Sequence, residues 1–142
     1  MKQKQLYTLG FFFDKTRKNV ALIEKQRPDW QKGFLNGIGG KIEPFETSLD
    51  CMIREFKEET DVKVTNWNHF MNKVGDDFEV YCYYAFDDND SFFNLKTTTD
   101  EKVIFAPINR LREFKTLSNL QWMIPMIFEA NLRFPINVKY KK

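Results

Sequence analysis

Short runs of apolar and β-branched residues, broken by polar turns, account for most of the chain. Residues 6–13 read as a strand, 14–18 as its turn and 19–24 as the return strand. Residues 27–32 form a polar loop interrupted by Pro28, and 33–37 are short and extended. A second pair follows, with one strand inside 62–74 that starts near Trp67, a turn at Gly75, Asp76 and Asp77, and a strand over 78–86 rich in β formers. Residues 87–100 read as a loop, 103–106 as a strand and 117–130 as a closing helix. Helical spacing stands out between Thr47 and Thr60. There Leu49, Met52, Ile53 and Phe56 fall at i, i+3, i+4 and i+7, one stripe that must meet a core. Thr47, three residues before Asp50, is placed to cap that helix. Pattern alone gives a mixed α/β domain.

Composition narrows this picture. A chain of 142 residues makes one domain with a substantial core, here supplied by 42% hydrophobic residues, fifteen of them Phe. The net charge of +2 is too small to argue for a nucleic-acid or membrane surface. The basic end at Lys139, Lys141 and Lys142 reads as a frayed terminus. Cys51 and Cys82 give no disulfide framework and are expected to be reduced and packed. The apolar run near the start is too short for a secretory leader, and no segment approaches a membrane span, so a cytoplasmic location is expected.

The helix also carries a second stripe. Glu55, Glu58 and Glu59 lie at i, i+3 and i+4, where each like-charged pair costs roughly 0.2–0.5 kcal/mol in water. A hard divalent cation with oxygen ligands reverses that sign, and Arg54 can hold one carboxylate by a bidentate pair. The bland alternative is a solvated acidic face partnered by Lys57. Upstream, Gly39 and Gly40 allow close backbone approach to a ligand, and Lys41 can meet a phosphate as a point charge.

The segment from Gly40 to Val62 resembles the Nudix box of MutT-type hydrolases, G-x5-E-x7-R-E-U-x-E-E-x-G-U. Gly40, Glu46, Arg54, Glu55, Glu58, Glu59 and Val62 fall in register, and Phe56 takes the first U position. Asp61 stands where the family pattern has its last glycine, which implies a different helix C-terminus. Residues 103–111 and 120–130 are weakly similar to the family's late strand and closing helix.

The resemblance implies a single-domain α/β/α sandwich with a mixed sheet, spanning residues 1–142. It also implies hydrolysis of a nucleoside diphosphate linked to another group. The cofactor would be magnesium, with manganese as a substitute. By the same resemblance Glu55, Glu58, Glu59 and the Gly40 carbonyl are metal ligands, and Glu55 either ligates or serves as, or orients, the base. Arg54 positions Glu55, Glu46 pairs structurally with Arg54 or the helix terminus, Lys41 contacts phosphate, and Gly39 is a further substrate-binding position. Glu101, with Asp100 second, is the candidate for a further catalytic acid from the loop before the late strand.

For substrate, residues 35–41 are similar to those of oxidised-purine triphosphatases, in which the position of Asn36 contacts the base; Asn-Gly is equally a turn dipeptide. A nucleoside triphosphate leads, ahead of ADP-ribose, dinucleoside polyphosphates or capped RNA, with a non-catalytic nucleotide-binding module as the rival class. His69 reads as a sheet or surface residue, and Asp87, Asp88 and Asp90 as a solvated turn. The oligomeric state is open.

Overall fold

A computed structural model describes residues 3–141. Its centre is an eight-stranded mixed sheet. The strands are β1 (Gln5–Phe13), β2 (Asn19–Glu24), β3 (Leu35–Asn36), β4 (Ile38–Lys41), β5 (Asn68–Val74), β6 (Phe78–Phe86), β7 (Val103–Pro107) and β8 (Ile136–Lys139). The spatial order is β3-β2-β1-β6-β5-β8, with β4 beside β1 and β7 beside β2. β1 runs parallel to β6, and β5 to β8; the other pairs are antiparallel. Helix α1 (Ser48–Thr60) covers one face and α2 (Leu120–Ile127) the other.

β1 shows why two cores form. Successive side chains of a strand point to opposite faces. Phe11 and Phe13 therefore pack with Leu120, Met123 and Ile124 of α2, while Phe12 between them packs with Met52 and Phe56 of α1 and with Trp67. Phe12 and Phe56 meet edge to face at 5.3 Å.

The Thr47 hydroxyl caps α1 by accepting the Asp50 N–H at 3.0 Å. The apolar stripe is rotated from its expected line. Leu49 is 39% exposed, whereas Cys51, Met52, Phe56 and Thr60 are buried. Cys51 draws the helix toward β1 and β4, since its thiol lies 3.4 Å from both the Thr8 hydroxyl and the Lys41 carbonyl. At the other end Asp61 adopts the left-handed conformation itself (φ 63°), its N–H bonded to the Lys57 carbonyl and its carboxylate to the Lys57 ammonium at 3.0 Å. The substitution thus keeps the helix ending that glycine ordinarily supplies. Lys57 serves that end and not the acidic stripe.

Other expectations change too. Helix α2, Leu120–Ile127, is shorter than the expected 117–130; at its start residues 116 and 117 instead pair with β3, where Thr116 bridges Leu35 and the Leu117 N–H bonds the Leu35 carbonyl at 3.0 Å. Lys139, placed in the expected frayed end, closes a strand the sequence did not suggest, β8, which pairs in parallel with β5; Lys142 lies outside the described residues. Asp87 is buried and accepts from the Asn89 and Phe92 N–H groups and the Ser91 hydroxyl, so it organises its turn. A short 3-10 helix, Phe92–Asn94, follows. Both cysteines are free and buried, as expected. Among the described residues no helix is long and apolar enough to cross a membrane.

Candidate active site

The double glycine closes on protein atoms. A Cβ on Gly39 would stand 2.0 Å from the Thr8 carbonyl oxygen, because β4 lies hard against β1 there. A Cβ on Gly40 would stand 2.4 Å from the Glu55 carboxyl carbon. The Gly40 backbone and the Glu55 carboxylate are therefore pressed together, which only glycine permits.

Arg54 organises the carboxylates around it. Its Nε and Nη2 donate to the two oxygens of Glu46 at 2.7 and 2.9 Å, a bidentate pair. Its Nη1 donates to Glu55 at 3.0 Å and to both oxygens of Glu58 at 3.3 Å. Nη2 also reaches the Lys41 carbonyl at 3.2 Å. Glu46 in turn accepts the Glu43 N–H at 3.0 Å, which ties the loop before α1 to the same guanidinium. These donors hold the Glu46 carboxyl down to about 2, with Arg54 the first cause. Glu55 goes the other way. Burial raises its carboxyl above the usual range despite Arg54.

A second group lies at the far end of α1. Burial raises the Glu59 carboxyl as well, with Glu101 and Glu55 adding repulsion. The Thr99 hydroxyl donates to Glu59 at 3.1 Å and accepts the Glu101 N–H at 3.0 Å. Glu101 is buried, with its carboxylate on the Gln26 N–H at 2.8 Å and on Lys25 Nζ at 3.4 Å. Arg27 stands 3.9 Å from Glu101 and bonds Asp100. Asp100, the second choice for the loop acid, is thus exposed and paired outward, whereas Glu101 faces the helix.

The structure brings Gly40, Glu46, Arg54, Glu55 and Glu58 into one contact network and sets Glu59 beside Glu101. Among the described residues no three His, Cys, Asp or Glu side chains converge tightly enough to form a ready cation cage. The donors are nonetheless all carboxylate and carbonyl oxygens, the chemistry a hard cation such as magnesium selects, and burial disfavours the charged forms of the half-buried Glu55 and Glu59. Lys41 is exposed. Asn36 is half-buried on β3, its Oδ1 accepting the Gly37 N–H at 2.8 Å, and neither residue has the positive φ of an Asn-Gly hairpin turn.

Sequence reading passed over Lys25, Arg27 and Thr99. The available signals were the alternating cations at 25 and 27 and the run of three threonines at 97–99.

The NUDIX domain model matches residues 4–126. The chain is similar in fold to the mutator protein MutT of Bacillus halodurans, with a TM-score of 0.73 and 18% identity over 96% of this chain and 90% of that one. It is also similar to the NUDIX domain of Shewanella oneidensis NrtR complexed with ADP ribose, with a TM-score of 0.73 and 15% identity over 89% and 88% of the two chains. A 54-residue stretch is 39% identical to the NAD-capped RNA hydrolase NudC of Vibrio vulnificus, covering 38% of this chain and 21% of that protein. The match to the domain model over nearly the whole sequence, on a chain that carries the box residues in contact, places it in the Nudix domain family.

Proposed function

We propose that this chain is a divalent-metal-dependent pyrophosphohydrolase acting on a nucleoside diphosphate linked to a further group. The leading substrate is a nucleoside triphosphate, oxidised or not, cleaved to the monophosphate and pyrophosphate. The arrangement around Arg54 carries this reading. One guanidinium fixes Glu46 at two points and still reaches Glu55 and Glu58, while Glu55 is pressed against the Gly40 backbone.

Glu55, Glu58, Glu59 and the Gly40 carbonyl are the groups that would hold magnesium, or manganese in its place. When bound, the ion offsets charge on the phosphate oxygens and acidifies water. Glu55, with its carboxyl raised by burial, is better matched to accept a proton from water than Glu46, which is held near 2. Arg54 keeps Glu55 oriented, and Glu101 adds a buried carboxylate beside Glu59. Lys41, Lys25 and Arg27 supply cations for the phosphates. Asn36 commits its Oδ1 to Gly37 and keeps its Nδ2 donors for a base.

A second reading is hydrolysis of ADP-ribose, a dinucleotide or an RNA cap, favoured by the stretch shared with NudC. A nucleotide panel with magnesium separates the cases by product. Pyrophosphate with a monophosphate supports the first, and AMP from a dinucleotide supports the second. Ligand binding with no turnover anywhere in the panel would leave a nucleotide-binding module.

A further inference from the structure

The three threonines before β7 make three separate contacts. Thr97 Oγ1 accepts the Val103 N–H at 2.9 Å, which closes the loop on itself. Thr98 Oγ1 donates to the Glu58 carbonyl at 2.5 Å, which docks the loop on the last turn of α1. The Lys96 N–H, on the Thr60 carbonyl at 2.9 Å, docks it a second time. Thr99 differs from both, since its hydroxyl touches a carboxylate of the candidate site.

The direction of that bond is fixed. A carboxylate only accepts, so the Thr99 hydroxyl proton goes to Glu59 Oε2, while a lone pair of the same oxygen takes the Glu101 N–H. Among the described residues this is the one hydrogen bond on the Glu59 carboxylate. Glu55 and Glu58 are held by a cation; Glu59 is held by a neutral group. A guanidinium in that place would orient Glu59 and also cancel its charge. A hydroxyl orients it without an ion pair, so only the more distant Lys25 and Arg27 offset its charge. The same oxygen grips the backbone of Glu101, so one side chain sets the spacing between an acid on α1 and an acid on the loop.

Resting on the metal-dependent hydrolase function proposed above, we infer that Thr99 is a positioning residue that holds the Glu59 carboxylate, in register with Glu101, for a divalent cation. Thr99 is exposed, so replacing it hollows no core. The test is Mn2+ binding to the full chain without nucleotide, read as loss of the free-ion EPR signal, alongside the melting temperature. T99V should weaken Mn2+ by about tenfold, the usual scale for removing a group that orients a ligand, while T99S stays within about twofold of the parent. T98V removes the docking bond alone; it should melt lower and bind Mn2+ as the parent does. Unchanged affinity in T99V overturns the inference. So does an equal loss in T98V, which would assign the effect to loop docking, or in T99S, which would assign it to the methyl group. A parent chain that takes up no Mn2+ overturns the metal reading itself, and this inference with it.

Discussion

Where α1 begins, Glu46 gives both its oxygens to Arg54 and a third bond to a backbone N–H. Where α1 ends, Glu59 has one neutral hydroxyl and faces Glu101. Both are acids of the same box, yet one carboxyl is held near 2 and the other is raised by burial. Glu46 is ionised because the fold has already supplied its partner. Burial disfavours the charged form of Glu59, and a cation bound beside it would favour that form. The difference separates an acid fixed by a cation of the fold from one fixed only by a hydroxyl, a division that spacing along the helix does not reveal.

The largest expected effect lies at the Glu59 end. Glu59→Gln should lower magnesium-dependent turnover by two to three orders of magnitude, about 3–4 kcal/mol of lost transition-state stabilisation. It should do so without unfolding the chain. A carboxyl raised above its unfolded value adds stability that is complete below the unfolded pKa and is lost as pH rises through the folded one. Burial disfavours the charged form that the amide does away with, so stability at pH 7 should be equal or higher. Urea midpoints at pH 7 and pH 4 check this, and the gap between variant and parent should narrow at the lower pH. Full turnover in the variant, or a lower midpoint at pH 7, would break the contrast.

Glu46→Gln should act in the opposite sense. It removes charge-assisted bonds to a partly buried guanidinium, at about 1.5–3 kcal/mol of stability near neutral pH. Here the folded carboxyl lies below its ordinary value of 4.5, at about 2. Its contribution is therefore complete above the unfolded pKa and disappears as pH falls from about 4.5 toward 2. Urea titration from pH 7 to pH 3 should show the parent losing stability across that window and the variant losing less. Parallel pH curves would mean that Arg54 does not hold Glu46 in solution as it does here.

Much of this was legible in the sequence. The helical spacing from Thr47, the pairing of β1 with β2, and β6 are local patterns, and local patterns survive in a string of residues. So did the acids on one helix face, because i, i+3 and i+4 fix a face whatever surrounds it. What failed to show depends on contacts distant in sequence. Leu49 reads as core until Cys51 turns the helix toward β4. Lys139 reads as part of a frayed end until β5 offers β8 an open edge. Asp87 reads as a solvated acid until the turn folds back around it. Thr99 is polar and exposed, and only the docking of its loop on α1 gives the hydroxyl something to hold.

The smallest expected effect concerns the turn that carries Glu46. The Glu46 N–H bonds the Glu43 carbonyl at 3.1 Å, with Pro44 second in the turn and Phe45 third. Phe45 has φ 67°, the place in a type II turn that glycine normally takes, and its ring is fully exposed. A left-handed backbone costs an L-residue about 1–2 kcal/mol. Glycine avoids that cost but loses about 0.5–1 kcal/mol of backbone freedom on folding. The ring buries nothing that the change would expose. Phe45→Gly should therefore stabilise the chain by about 0.5–1 kcal/mol, the balance of those two effects, read as a higher urea midpoint with an unchanged slope. The gain should persist in the Glu46→Gln background, because it comes from the turn backbone and not from the ion pair that the turn presents. A loss of stability would mean that the ring meets a partner in the folded chain. A gain that vanishes with Glu46 would mean that turn and guanidinium act as one unit, and the acid-end contrast would then reach back into the loop before α1.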